Sequence, residues 1–219
     1  MSLIRPLVAD AGCPLAERAF FVDDVISPVE AFFCKHFDIS WRINTIITTS
    51  LPWLIIPEDG VGGKTYASDF VILAISQKSV TVAKASEMLV HELAHAVRWG
   101  KNSEWSKDLF CELVSEGLAV NVEAEFAKMC SERTFFLEAV LERSEDENRR
   151  LFQKLRPEFA TEKYDYDSIF FGGDEWPRWA GYSVGHYIVK KYLKKTGKDI
   201  FDVIGDLYED FRIHVVEIE

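Results

Sequence analysis

The hydrophobic period of the chain changes near residue 80, and no other feature constrains the fold as strongly. Before it, "WRINTIITTS" (41–50), "PWLIIP" (52–57) and "SDFVILAIS" (68–76) are β-branched and aromatic runs bounded by turn residues, the pattern of strands. After it, Met88, Leu89, Leu93, Ala96 and Val97 recur at the three-and-four spacing that lines one face of a helix, and Gly100 supplies a stop. The expected class is therefore α+β: a small N-terminal mixed sheet of three or four strands, then a mainly helical part. A short helix is expected over 27–37, with Ser27 as cap, Pro28 in the first helical position and Glu30 three residues after the cap. Further helices are expected at 109–129, 134–155, 179–195 and 199–210, and 159–179 reads as an ordered aromatic loop.

A length of 219 residues fits one domain, sheet-rich over 1–80 and helical over 81–219. Six Trp, seven Tyr and sixteen Phe supply ample core material. The net charge of -11 repels a polyanion at long range, so no nucleic-acid partner is expected. The lysine run "KKYLKKTGK" (190–198) reads as the cationic end of a helix, which the helix dipole favours. Four cysteines at 13, 34, 111 and 130 contain no close pair, which argues against a thiolate metal site and fits free thiols. Arg5, Pro6 and Asp10 interrupt the N-terminal apolar run, and no apolar run reaches the roughly 20 residues of a membrane span. The expectation is a cytoplasmic chain with no membrane partner.

The first convincing helix carries "LVHELAHAVRWG" (89–100). His91 and His95 are four apart, so they stand one turn above each other and can share one cation. Glu92 lies about 100° round the helix, within reach of a water at that cation without being a ligand. This is the H-E-x-x-H pattern of zinc hydrolases. A catalytic zinc keeps three protein ligands and an open position. A third His six residues beyond His95 is excluded, because Lys101 stands there; His36, His186 and His214 have no spacing that recommends them.

A carboxylate on the next helix is the alternative. Glu112, Glu116 and Glu123 share one stripe, and Glu116 is the best of them because Gly117, otherwise costing about 1 kcal/mol in mid-helix, lets a neighbouring helix approach closely. His95 is about 7.5 Å along the axis from the stop at Gly100. A following helix that began at Ser103 would carry Glu116 about 19 Å past the turn, so "KNSEWSKD" (101–108) should be mostly loop, with the helix starting near Lys107 to Leu109.

"HELAH" and "SEGLA", with twenty residues between His95 and Glu116, resemble the gluzincin metallopeptidases. "LVSEGLAV" together with "PRWAGYSVGHYIVKKYL" more specifically resembles an uncharacterised bacterial family of predicted zinc-dependent proteases. The resemblance implies a zincin-like fold, one Zn2+ per chain on His91, His95 and Glu116, and Glu92 as general base in peptide-bond hydrolysis. A peptide or protein substrate follows.

Tyr182 and His186, four apart on one helix face, are candidates for the donor to the oxyanion; Tyr182 is preferred because it lies within the family-like segment. Glu112 and Glu123 are candidate partners of the ligating imidazoles. "EDGVGGKT" (58–65) ends like a phosphate-binding loop, but its required first glycine falls on Glu58 and no long helix follows. It reads instead as a hairpin turn feeding an edge strand. The alternative function is a catalytically silent metal-binding protein of the same fold, acting as a regulator or interaction module; the presence of Glu92 speaks against it.

Overall fold

The computed structural model describes residues 2–9, 19–76, 79–102, 104 and 107–215. It is a mixed α and β structure with a four-stranded sheet near the N-terminus and a mostly helical remainder. Two compact units emerge, Met1–Gly100 with Val122–Phe135, and Lys101–Asn121 with Phe136–Glu219.

In the first unit, β1 (Ile4–Ala9), β2 (Ile43–Thr48), β3 (Val61–Ala67) and β4 (Phe70–Ile75) form one sheet in the order β1-β2-β4-β3. β1, β2 and β4 run parallel, whereas β3 is antiparallel to β4 and forms an edge. Helix α1 (Ala19–His36) connects β1 to β2 and starts well before Ser27, with Pro28 inside it. Its buried stripe of Val22, Val25, Ile26, Val29, Phe32 and Phe33 runs through the proline, which faces solvent. At ~1.5–3 kcal/mol for each fully buried apolar side chain, that stripe outweighs the ~3 kcal/mol cost of a helical proline. The segment 52–57 is not a strand: Pro52–Leu54 form a single 3-10 turn, and only Ile56 makes an isolated bridge, to Val61. Pro52 and Pro57 lack the N–H groups a strand needs.

The glycine-rich stretch is itself the edge strand, since Gly62, Gly63, Lys64 and Thr65 lie in β3, and the hairpin turn falls at 68–69. Helix α2 (Val82–Lys101) is buried from Ala85 to Arg98. Gly100 does not stop it. A Cβ there would stand 2.0 Å from the Trp41 ring, so the glycine serves close packing.

Helix α3 (Leu109–Ala127) starts where the geometry required and is shared by the two units. In the preceding linker, residues 103, 105 and 106 lie outside the described residues. The expected helix at 134–155 is two, α4 (Phe135–Glu142) and α5 (Glu145–Leu155), because Ser144 and Glu147 form a capping box that starts a new helix. The 159–179 segment holds α6 (Tyr166–Phe171), and residues 158–176 line an open cavity of about 820 Å³ rich in carboxylates. Helix α7 (Ala180–Thr196) packs on α5 and α6. It ends in Lys194 and Lys195, with Gly197 at φ 70° as its cap, as the lysine run implied. The 199–210 segment is a short α8 (Ile200–Val203) and then α9 (Tyr208–Val215). Of the cysteines, Cys34, Cys111 and Cys130 are free, and Cys13 lies outside the described residues. No helix among the described residues is long and apolar enough to cross a membrane.

Candidate metal centre

Buried in α2, His91 and His95 turn toward each other, with their Nε2 atoms 3.3 Å apart. The other nitrogen of His91 is taken: Nδ1 lies 2.8 Å from Oε2 of Glu123, whose side chain is fully buried in the last turns of α3. A carboxylate there fixes the tautomer, with Nδ1–H donating to Glu123 and the Nε2 lone pair directed toward His95. A His91 lone pair facing the His95 ring nitrogen at this distance calls for a cation or a proton between the two. Nitrogens about 2.0–2.1 Å from a tetrahedral zinc stand roughly 3.3–3.4 Å apart, so the observed spacing suits that ion.

Glu116 lies two turns before Glu123 on the same helix. His91, His95 and Glu116 are all buried, each offers one ligand atom, and these atoms lie within 4.8 Å of one another. Two imidazoles and one carboxylate form the donor set of a catalytic zinc with a position left open. The stripe reading separates here: Glu116 joins the histidines, Glu123 backs His91, and Glu112 lies near Tyr164 in the second unit.

A second carboxylate stands behind Glu123. Glu87 is fully buried, and its Oε1 accepts from the Thr134 N–H at 2.7 Å and from the Thr134 hydroxyl. Burial, then the nearby Glu123, push its carboxyl up to about 8, so it is mostly protonated at neutral pH. Burial also raises Glu123, against the opposing pull of His91. Glu87 Oε2 and Glu123 Oε1 have no hydrogen-bond partner among the described residues. The sequence reading missed Glu87, although it stands four residues before His91 on the same helix face.

Glu92 points to the sheet. The Thr65 hydroxyl of β3 lies 2.7 Å from its Oε2 and 2.7 Å from its backbone carbonyl. Gly63, two residues along the same strand, leaves the space its side chain occupies.

In the second unit, α3 crosses α7 through glycines: a Cβ on Gly117 would meet the Gly185 carbonyl oxygen at 2.1 Å, and one on Gly185 would meet the Leu113 carbonyl oxygen at the same distance. Gly117 thus does what its place beside Glu116 suggested. His186, next to that crossing, is buried and has an Nδ1 without a hydrogen-bond partner among the described residues. Burial, with Lys190 nearby, pushes its pKa down to about 4, so the imidazole is neutral at pH 7. Tyr182 is held in an aromatic cluster, edge-on to Phe136 at 4.9 Å and to Phe170 at 5.2 Å.

No curated protein and no solved structure matches the chain. One family model does, described as "Predicted Zn-dependent protease (DUF2268)", over residues 30–211, which includes both the histidine pair and α7. With more than four-fifths of its length matched, the chain belongs to this family of predicted zinc-dependent proteases.

Proposed function

We propose that the chain is a zinc metallopeptidase of gluzincin type with a zincin-like fold, a single catalytic domain that hydrolyses peptide bonds in peptide or protein substrates. His91, His95 and Glu116 are the ligands of one zinc per chain. The observation that carries this reading is the pair of Nε2 atoms 3.3 Å apart, with a Glu116 oxygen within 4.8 Å of them. Bound there, zinc would supply Lewis acidity to a water and to the scissile carbonyl.

The residues of the chain do the rest. Glu123 holds His91 in the tautomer that carries its Nε2 lone pair on the side of His95. Glu92 is the general base: its carboxylate takes a proton from the attacking water and delivers it to the leaving amine. The carbonyl oxygen gains charge during attack and needs a donor. We favour His186 over Tyr182 for that task, since it is neutral and its Nδ1 has no hydrogen-bond partner among the described residues, whereas the Tyr182 ring is packed among aromatics.

Metal analysis and peptidase assays on the same preparations test this. About one zinc per chain is expected for the wild type, and His91→Ala and Glu116→Ala should lose it. Glu92→Gln should keep the zinc and lose turnover of a fluorescently labelled casein by ~1000-fold or more, as removal of an essential catalytic group does. Full zinc in Glu116→Ala would sink the ligand assignment.

A further inference from the structure

We propose that Thr65, on the edge strand β3, is a positioning residue for Glu92: its hydroxyl and the empty place beside Gly63 together fix the carboxylate that accepts the proton. The inference rests on the reading of Glu92 as general base, and two independent observations carry it. The first is a hydrogen bond, in which Thr65 Oγ1 lies 2.7 Å from Glu92 Oε2 with both side chains buried. The second is a fit: a Cβ on Gly63 would stand 2.3 Å from Glu92 Cγ and 2.8 Å from both Cδ and Oε1. Gly63 and Thr65 are two apart on one strand, hence on the same face, and that face receives Glu92. One carboxylate oxygen is bound by the hydroxyl, and the other lies over the glycine.

The arrangement is specific to this pair of residue types. Any side chain at 63 would meet the Glu92 side chain, and the hydroxyl at 65 fits a buried strand position while donating to the carboxylate. A charge-assisted hydrogen bond of this kind is roughly twice as strong as a neutral one. The hydroxyl has one proton and two acceptors at equal distance, Oε2 and the Glu92 carbonyl. The charged oxygen is the better acceptor while Glu92 is ionised. The segment "GGKT", left over as a turn in the sequence, thereby acquires a role in aiming the base.

The test uses the full chain and the variants Thr65→Val, Thr65→Ser, Gly63→Ala and Glu92→Gln. In zinc-free protein, the infrared carboxylate band of Glu92, identified by its loss in Glu92→Gln, should move in Thr65→Val and stay in place in Thr65→Ser. In zinc-loaded protein, Thr65→Val should lower kcat on labelled casein ~10- to 100-fold, with KM and zinc content within two-fold of wild type, and Thr65→Ser should restore most of it. Gly63→Ala should give the same loss with the hydroxyl intact. A Glu92 band and a kcat unchanged in Thr65→Val would overturn the inference. If no preparation turns over substrate, the proposed function fails, while the infrared band still decides whether Thr65 holds Glu92.

Discussion

His91 and His186 are both buried imidazoles, yet their surroundings are opposite. His91 meets a carboxylate, Glu123, which takes its Nδ1–H and commits its Nε2 to the neighbouring His95. His186 has no partner for Nδ1 among the described residues, and burial keeps it neutral. A ligand must present one fixed lone pair, so its other nitrogen is tied down; a donor to a transient charge must stay uncommitted until that charge forms. Burial alone does not distinguish the two proposed roles, ligand for His91 and oxyanion donor for His186. The partner of the second nitrogen does.

The comparison can be broken first at Glu123. Glu123→Ala should weaken zinc binding ~10- to 100-fold in competition against a chelator, because His91 is then free to rotate or switch tautomer. Unchanged affinity would mean that the contact is structural only. His186→Ala should give the converse, zinc affinity as in the wild type with kcat lowered ~10- to 100-fold; a loss of zinc in this variant would erase the distinction.

Smaller effects follow from the buried acid and base. The Glu87 carboxyl is raised from 4.5 to about 8, so the folded state holds a proton that the unfolded state releases. Stability from this group is full below pH 4.5 and falls as pH rises toward 8, by a few kcal/mol at most. Glu87→Gln should flatten the decline of melting temperature between these limits, and parallel curves would contradict the assignment. His186 acts in the reverse sense. Its pKa falls from 6.5 to about 4, so its contribution is full above pH 6.5 and declines as pH falls toward 4. In proton NMR its ring resonances should not titrate between pH 7 and 5.

What the sequence revealed was local. The four-residue spacing of His91 and His95, the place of Gly117 beside Glu116 and the helix start at Leu109 all follow from periodicity and rise per residue along one helix. Features that depend on distant chain were hidden. Thr65 and Glu92 are 27 positions apart, and nothing in "GVGGKT" announces a helix against it. β1 escaped notice because Arg5 and Pro6 interrupt it and five of its six residues are exposed, so no alternation marks it. Pro28 misled in the opposite direction, since a local helix-start signal yielded to the buried stripe that continues on both sides. His186 was visible as a residue, but the absence of a hydrogen-bond partner for its Nδ1 among the described residues was not.

X-ray absorption at the zinc edge of the loaded protein tests the central claim most directly. The account predicts two imidazole nitrogens and one carboxylate at ~2.0–2.2 Å, no sulfur, and loss of the signal from bound zinc in Glu116→Ala. A spectrum with a single imidazole, with sulfur, or unaltered in Glu116→Ala would contradict it.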